Sequence, residues 1–288
     1  MRSLRFQSGY KKLDISLDLI YLVFGNGEMR KLGSLTIAFL LLLFAREIIC
    51  FEVELFPSVI ILQDVRLGKK TRSKEGIIVR NLTRNDTYIR AYPVSLVGTR
   101  YYEPLPDSSW IIVKQKTTIL KGESEEKINF ALKIPEEKQL FNRSFLGGIA
   151  VEVSDSSRMF KLVGVVKLFV ETESSLLLPL PNKVILKNAR IFQFLLENST
   201  KDTIIYKLNV DYPMDAQEVK RTPGCQLFPD GWNLELEEDV YPLSPGERRL
   251  VKGKISLPQR ERRKGCYEKI LFVEAGEKRG FVRIVVDF

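Results

Sequence analysis

The sequence predicts an all-β protein: two immunoglobulin-like β-sandwich domains after an N-terminal hydrophobic signal or anchor segment. Three observations predict it. From residue 51 onward, apolar side chains recur with a period of two rather than 3.6. Short runs rich in Val, Ile, Phe and Thr are separated by Gly, Pro, Asn and Asp, the residues that favour turns. Landmarks of the first half return in the second at nearly constant spacing, and 288 residues is room for two domains of about 100–150 residues each. With 44% hydrophobic and 28% charged residues, the balance is that of a folded chain.

Taken in order, residues 32–45 (Leu-Gly-Ser-Leu-Thr-Ile-Ala-Phe-Leu-Leu-Leu-Leu-Phe-Ala) are uncharged and stop at Arg46. A bilayer span needs about 20 apolar residues, so this run is the length of a secretory signal core. Met29-Arg30-Lys31 stands just before it, a start residue with two positive charges. Residues 1–50 are therefore read as a leader, with Met29 as a possible true start and a 28-residue cytoplasmic extension before a signal anchor as the rival. Glu47-Ile48-Ile49 lacks the small residue of a lipoprotein box before Cys50.

Residues 76–81, 87–92, 127–132, 148–153 and 160–170 read as strands of a first sandwich spanning residues 51–172. The second, residues 173–288, repeats the pattern. Asn81-Leu82-Thr83 ends one strand and Asn198-Ser199-Thr200 another, 117 residues later. Leu120-Lys121-Gly122-Glu123 and Ser244-Pro245-Gly246-Glu247 each precede a strand that closes on Pro135 or Pro258. Trp110 and Trp232 are 122 apart and are expected as core anchors. Each unit holds about seven strands, as an immunoglobulin-like sandwich does. The four Asn-x-Ser/Thr triplets, at Asn81, Asn85, Asn142 and Asn198, are read as turn chemistry. Cys225 and Cys266 share an exported context in which a disulfide persists. Cys266 fits the sixth strand of its unit, but Cys225 lies well past the second, so a bridge between them is not of the antibody kind.

Several function classes fall away. With no histidine, Ser–His–Asp and Cys–His hydrolases and imidazole zinc sites are excluded. Three cysteines cannot make a four-thiolate metal site, and no Walker loop or dinucleotide fingerprint is present. No metal or other cofactor is expected. The net charge of +9 is spread thinly: residues 51–288 carry 38 basic against 32 acidic residues. That is not the concentrated basic face of a nucleic-acid binder. Carboxylate pairs such as Asp230 with Glu235, or Glu237 with Asp239, are neighbours in loops and do not define an enzyme.

The run from Arg158 to Val170 is the most informative. One face, Phe160, Leu162, Gly164, Val166, Leu168 and Val170, suits a core. The other, Met159, Lys161, Val163, Val165, Lys167 and Phe169, is also mostly apolar where a solvent-facing row is usually polar. As the last strand of its unit it should lie at a sheet edge. This second face is then either a template for an added partner strand or a contact with the second domain.

Leu62-Gln63-Asp64-Val65-Arg66-Leu67, with Ile77-Ile78-Val79-Arg80-Asn81 and Val165-Val166-Lys167-Leu168-Phe169, resembles the periplasmic pilus-assembly chaperones. That resemblance implies two immunoglobulin-like domains in an L. It also implies an Arg66–Lys167 pair anchoring a subunit's terminal carboxylate, and a donor row of Met159, Val163, Val165 and Phe169. A bulge would instead turn Phe160 and Leu162 outward. The chain departs from the family after Phe169, where Val170-Glu171 replaces the usual Tyr-Arg-Pro. The reading is an exported, non-enzymatic protein-binding module at the periplasm or cell surface. Its expected partner is a protein, a surface or pilus-type subunit, with membrane contact only through the N-terminal segment. The alternative is a structural or adhesive surface protein that binds through loops 98–110 or 213–232.

Overall fold

The computed structural model describes residues 4–7, 52–114, 117–154, 161–187, 189–256 and 264–287. The hydrophobic run at 32–45, the proposed start at Met29, and Met159 and Phe160 lie outside the described residues. Among the described residues, no helix is long and apolar enough to cross a membrane.

The first half contains β1 (Leu4–Gln7), β2 (Glu52–Phe56), β3 (Val59–Val65), β4 (Lys70–Arg72), β5 (Ile77–Asn81), β6 (Thr87–Ser95), β7 (Glu103–Pro104), β8 (Ile111–Val113), β9 (Thr117–Leu120), β10 (Glu125–Ile128), β11 (Phe130–Lys133), β12 (Ser144–Ser154) and β13 (Lys161–Thr172). The second contains β14 (Lys183–Lys187), β15 (Ile191–Glu197), β16 (Ile204–Asn209), β17 (Gln226–Leu227), β18 (Asn233–Leu236), β19 (Val240–Leu243), β20 (Arg248–Ser256), β21 (Cys266–Ala275) and β22 (Lys278–Asp287). Both halves are immunoglobulin-like sandwiches.

In the first, the sheet β3-β13-β12-β6-β9 faces the strands β1-β2-β5-β10 and β4-β11-β8. The run read as one strand at 127–132 is interrupted at Asn129, between β10 and β11. Alternate residues of the two layers meet in one core, including Leu55, Ile77, Val79, Ile128, Leu132, Ile149, Val151, Val166 and Leu168, all nearly inaccessible to water. Trp110 packs at its border, edge-on to Phe145 at 6.4 Å. In the second, β14-β22-β21-β16-β19 faces β15-β20-β18 around Phe192, Phe194, Val251, Leu271, Val282 and Ile284. Trp232 is buried between Phe228 and Tyr267.

The repeat seen in the sequence is a repeat of strands. In each half, the first strand of the five-stranded path runs parallel to the last strand of the domain, β3 with β13 and β14 with β22. Trp110 and Trp232 stand immediately before equivalent strands, β8 and β18. Asn81 and Asn198, both fully buried, each receive bonds from the backbone N–H and hydroxyl of the threonine two residues on, and each donates to the backbone carbonyl four residues on. A second donation crosses to the turn before the facing strand, at Lys121, or to the end of the strand before it, at Leu243. The turn glycines differ in their reason. A Cβ on Gly122 would collide with the backbone of Arg84, whereas Gly246 is required by a positive φ of 76°.

Candidate functional site

The last strand of the first domain, β13, is long, and its two halves have different surroundings. On one flank it pairs with β12 along its whole length, from Ser154↔Lys161 to Ser144↔Glu171. On the other flank β3 pairs only with the second half, from Lys167↔Val59 to Thr172↔Val65, and Lys167 N–H donates to Ser58 O at 3.1 Å. Pro57 has no N–H to offer the first sheet, and the chain crosses there from β2 to β3. Among the described residues, no strand pairs with residues 161–166 on that flank. Among the described residues, six residues of β13 are therefore open on that flank.

The face of each residue follows the two-residue period. Gly164, Val166, Leu168 and Val170 are buried toward the core, as the sequence predicts, with Leu162 half-buried. On the other face Val163 is 47% exposed, Val165 is half-buried, and Lys161 and Lys167 are exposed. Lys161 pairs with Glu152 across the β12 ladder at 3.2 Å. Val165 lies opposite Ala150, which lies opposite Tyr92, so the apolar row continues across the sheet.

Farther along that same face, the surroundings change. Phe169 is only 6% exposed and packs edge-on to Tyr102 at 4.7 Å. With Tyr101, Leu146, Ile270, Phe272 and Phe281 it forms an apolar cluster drawn from both domains. The surroundings of this face thus differ between the two halves of one strand. Val163 and Val165 sit at an open edge, and Phe169 belongs to the domain contact, not to the exposed row.

Arg66 and Lys167 are not brought together. Lys167 sits opposite Val59, at the start of the β3–β13 ladder, while Arg66 follows Val65, at its end. About seven residues of extended chain separate the two positions, roughly 20 Å at about 3.3 Å per residue. Both side chains are exposed. The spacing in sequence did not reveal this separation, because it depends on the register of a parallel pair 100 residues apart.

The domain contact holds what the sequence reading missed. Arg283 of β22 donates from Nε and Nη2 to Glu171 of β13 at 2.7 and 2.6 Å, and from Nη1 to Glu268 of β21 at 3.1 Å. The three side chains are 0–2% exposed. The two carboxylates have further donors: Tyr102 hydroxyl to Glu171 at 2.9 Å, and Thr222 N–H and hydroxyl to Glu268. Burial alone would lower the Arg283 pKa, but the charges of Glu171 and Glu268 reverse this and hold it above the ordinary arginine value. The signal in sequence was confined to Arg283, which interrupts the apolar run Phe281-Val282-Arg283-Ile284-Val285-Val286.

Polar clamps fix the connection between domains. The Asn142 amide donates to the carbonyls of Ser175, Leu178 and Pro179, and Asn182 donates to Arg143 O and Thr172 O. Lys183, 7% exposed, pairs with Asp64 at 2.5 Å. The two loops of the adhesive alternative meet each other: Asp215 accepts from Arg100 and, at 2.8 Å, from Arg279. Desolvation opposes ionisation of Asp215, but the two arginines win and hold its pKa below the usual value.

Cys225 and Cys266 form a disulfide across 41 residues, tying the end of the 210–225 loop to the first residue of β21. Glu235 is engaged by Ser256 and by Lys254, which keeps its carboxyl below the ordinary range. Among the described residues, no group of three or more Cys, Asp or Glu is arranged to hold a metal ion.

No family model matches the chain, and no curated protein does. Solved structures similar to it include the periplasmic chaperone SfaE, at 13% identity and a TM-score of 0.32, covering 82% of this chain and 100% of that one. The Escherichia coli chaperone DraB is similar at 13% and 0.30, covering 83% and 99%. A chain from the complex of the Salmonella enterica SafA pilin with the SafB chaperone is similar at 10% and 0.32, covering 83% and 97%. At these identities and TM-scores no role is carried over, and each residue role here rests on the chain's own geometry. The chain's own sheets show two immunoglobulin-like sandwiches in tandem.

Proposed function

We propose that this is an exported, non-enzymatic protein-binding module, chaperone-like in action, that pairs residues 161–166 of β13 with an extended segment of a surface or pilus-type subunit. The observation that carries the reading is the open edge itself. Among the described residues no strand covers its backbone groups on one flank, and Val163 and Val165 stand outward between Lys161 and Lys167. An unpaired edge with apolar side chains is a standing template for another strand, and soluble proteins normally blunt such edges. Main-chain pairing supplies affinity, and the alternate side chains supply specificity. Lys167 is the cation at the closed end of this edge, where it serves a carboxylate at the partner's terminus without Arg66.

The test is a pull-down of the tagged full chain, exported in its native host, with co-purified proteins identified by mass spectrometry. A Val163→Asp/Val165→Asp variant should lose the partner, Lys167→Ala should weaken its recovery, and Arg66→Ala should leave it unchanged. Equal recovery by the wild type and the double aspartate variant would overturn the strand-pairing reading.

A second reading has its own observation. Val97 and Met214 are 90% and 94% exposed on the two loops joined by Arg100 and Asp215. Exposed apolar tips on adjoining loops suit an adhesive contact. Loss of the partner from a Val97→Ser/Met214→Ser variant, with retention by the strand variant, would select that reading.

A further inference from the structure

The second domain contains a cavity of about 360 Å³ apart from the open edge, whose inner wall, Val219 and Ile270, is the back of the domain-contact cluster. It arises from an interruption in a sheet. β16 pairs with β21 as far as Asn209↔Phe272, and β17 pairs with β21 at Gln226↔Tyr267 and Leu227↔Glu268. Between these ladders, residues 269–271 of β21 have no strand on that flank among the described residues. The 210–225 loop leaves the sheet at this point, reaches the domain contact through Asp215, and returns at Cys225.

The walls are apolar: Val210, Val219, Leu227, Ile270 and the ring of Tyr212. The Tyr212 hydroxyl is turned to the loop's own backbone, donating to Val219 O at 2.9 Å and also to Ala216 O. The charged side chains of the lining, Lys220, Arg221 and Lys269, are all positive. Lys220 reaches the Gln217 carbonyl, and no carboxylate or amide side chain is among the lining residues. The nearest acid on the strand, Glu268, is committed to Arg283 and Thr222, and Glu218 of the loop, outside the lining, acts on Tyr212 through its charge. The loop is held at its end by the Cys225–Cys266 bridge and at Thr222 by Glu268, so the cavity is preformed. Its volume is at the lower end of the range for small-molecule sites.

We propose that this cavity binds a small amphipathic carboxylate, a medium-length alkyl acid, with the tail between Val210, Leu227 and Ile270 and the head group at Lys269 and Arg221. The complementarity is one of chemical type. Apolar walls take a tail, and a rim that offers only cationic donors selects an anionic acceptor. The uncharged alcohol of the same length lacks the second half of that match, and inorganic phosphate lacks the first.

The experiment uses the full chain, with methyl resonances of Val210, Val219, Leu227 and Ile270 followed during titration with sodium decanoate. Parallel titrations use 1-decanol and inorganic phosphate. Decanoate should give saturable shifts confined to these methyls, with decanol and phosphate at least about tenfold weaker. An Arg221→Gln/Lys269→Gln variant should bind decanoate about tenfold less tightly. Leu227→Asp, a change at a side chain that is 54% exposed, should abolish the shifts while leaving the circular-dichroism spectrum unchanged. Absence of saturable shifts, equal binding of decanol, or indifference to both variants would overturn the assignment. None of these readouts depends on β13, so the outcome is separate from that of the strand-pairing experiment.

Discussion

Arg283, on the last strand of the second sandwich, donates two hydrogen bonds to Glu171, on the last strand of the first, and neither side chain is more than 2% exposed. This pair joins the free edge to the second domain, because Glu171 lies on the strand whose first half is open. Whatever fixes the end of β13 fixes the direction in which its edge points.

Removing one member of this network should be costly. A buried charge left without its partner destabilises by about 3–5 kcal/mol, so Glu171→Leu or Arg283→Met alone should lower the denaturation midpoint sharply. Replacing Arg283, Glu171 and Glu268 together by Met, Leu and Leu should recover most of that loss. Urea unfolding of the single and triple variants measures both effects, and a triple variant as unstable as the singles would count against the account.

The open edge should tolerate charge. Val163 is 47% exposed, so Val163→Lys should change stability by no more than about 0.5 kcal/mol while abolishing partner capture. Val166→Lys, one face away in the core, should unfold the first domain, as thermal melting followed by circular dichroism will show.

Asn81 and Asn198 should behave as twins. Each makes four or more side-chain bonds inside its domain, so Asn→Ala at either position should cost about 2–4 kcal/mol, from several lost bonds and stranded backbone groups. Both are 0% exposed, so neither should carry a glycan when the chain is exported from a glycosylating host. Denaturation curves and intact mass check the two statements.

Stability should fall at alkaline pH. Burial, followed by the charge of Glu171, pushes the Tyr102 phenol above its ordinary range. Tyr101, Tyr206, Tyr212 and Tyr241 are shifted the same way, first by burial. A phenol that holds its proton more tightly when folded contributes fully below its unfolded pKa of about 10, and the contribution is lost as pH rises beyond it. Tyr102→Phe should cost about 1 kcal/mol at pH 8 through the lost bond to Glu171, and the difference from wild type should shrink or reverse at pH 11. Urea titrations at the two pH values decide it.

Reducing the Cys225–Cys266 bridge should destabilise the second domain by about 3–4 kcal/mol, as expected for closing a loop of this length. The effect should be confined to that domain, visible as loss of amide protection in β17 and β21 with β12 and β13 unchanged.

Strand alternation, turn residues and the repeated landmarks were legible in the sequence because each is a local property with a period of its own. They carried the two-sandwich fold, the core face of β13, the Trp110 and Trp232 anchors and the turn role of Asn81 and Asn198. The apolar second face of β13 was legible too, since alternation assigns a side without knowing what lies beyond it. Register across distant strands is not local, and it alone determined that Arg66 and Lys167 stand at opposite ends of a ladder. Tertiary packing likewise divided the apolar face, leaving Val163 and Val165 at an open edge while Phe169 went under Tyr102 and Phe281. The buried Arg283–Glu171 pair belongs to the same class. A buried charge is tolerable only when its partners are in place, here Glu268 from the neighbouring strand and Glu171 from the other domain, and that meeting exists only in the folded chain.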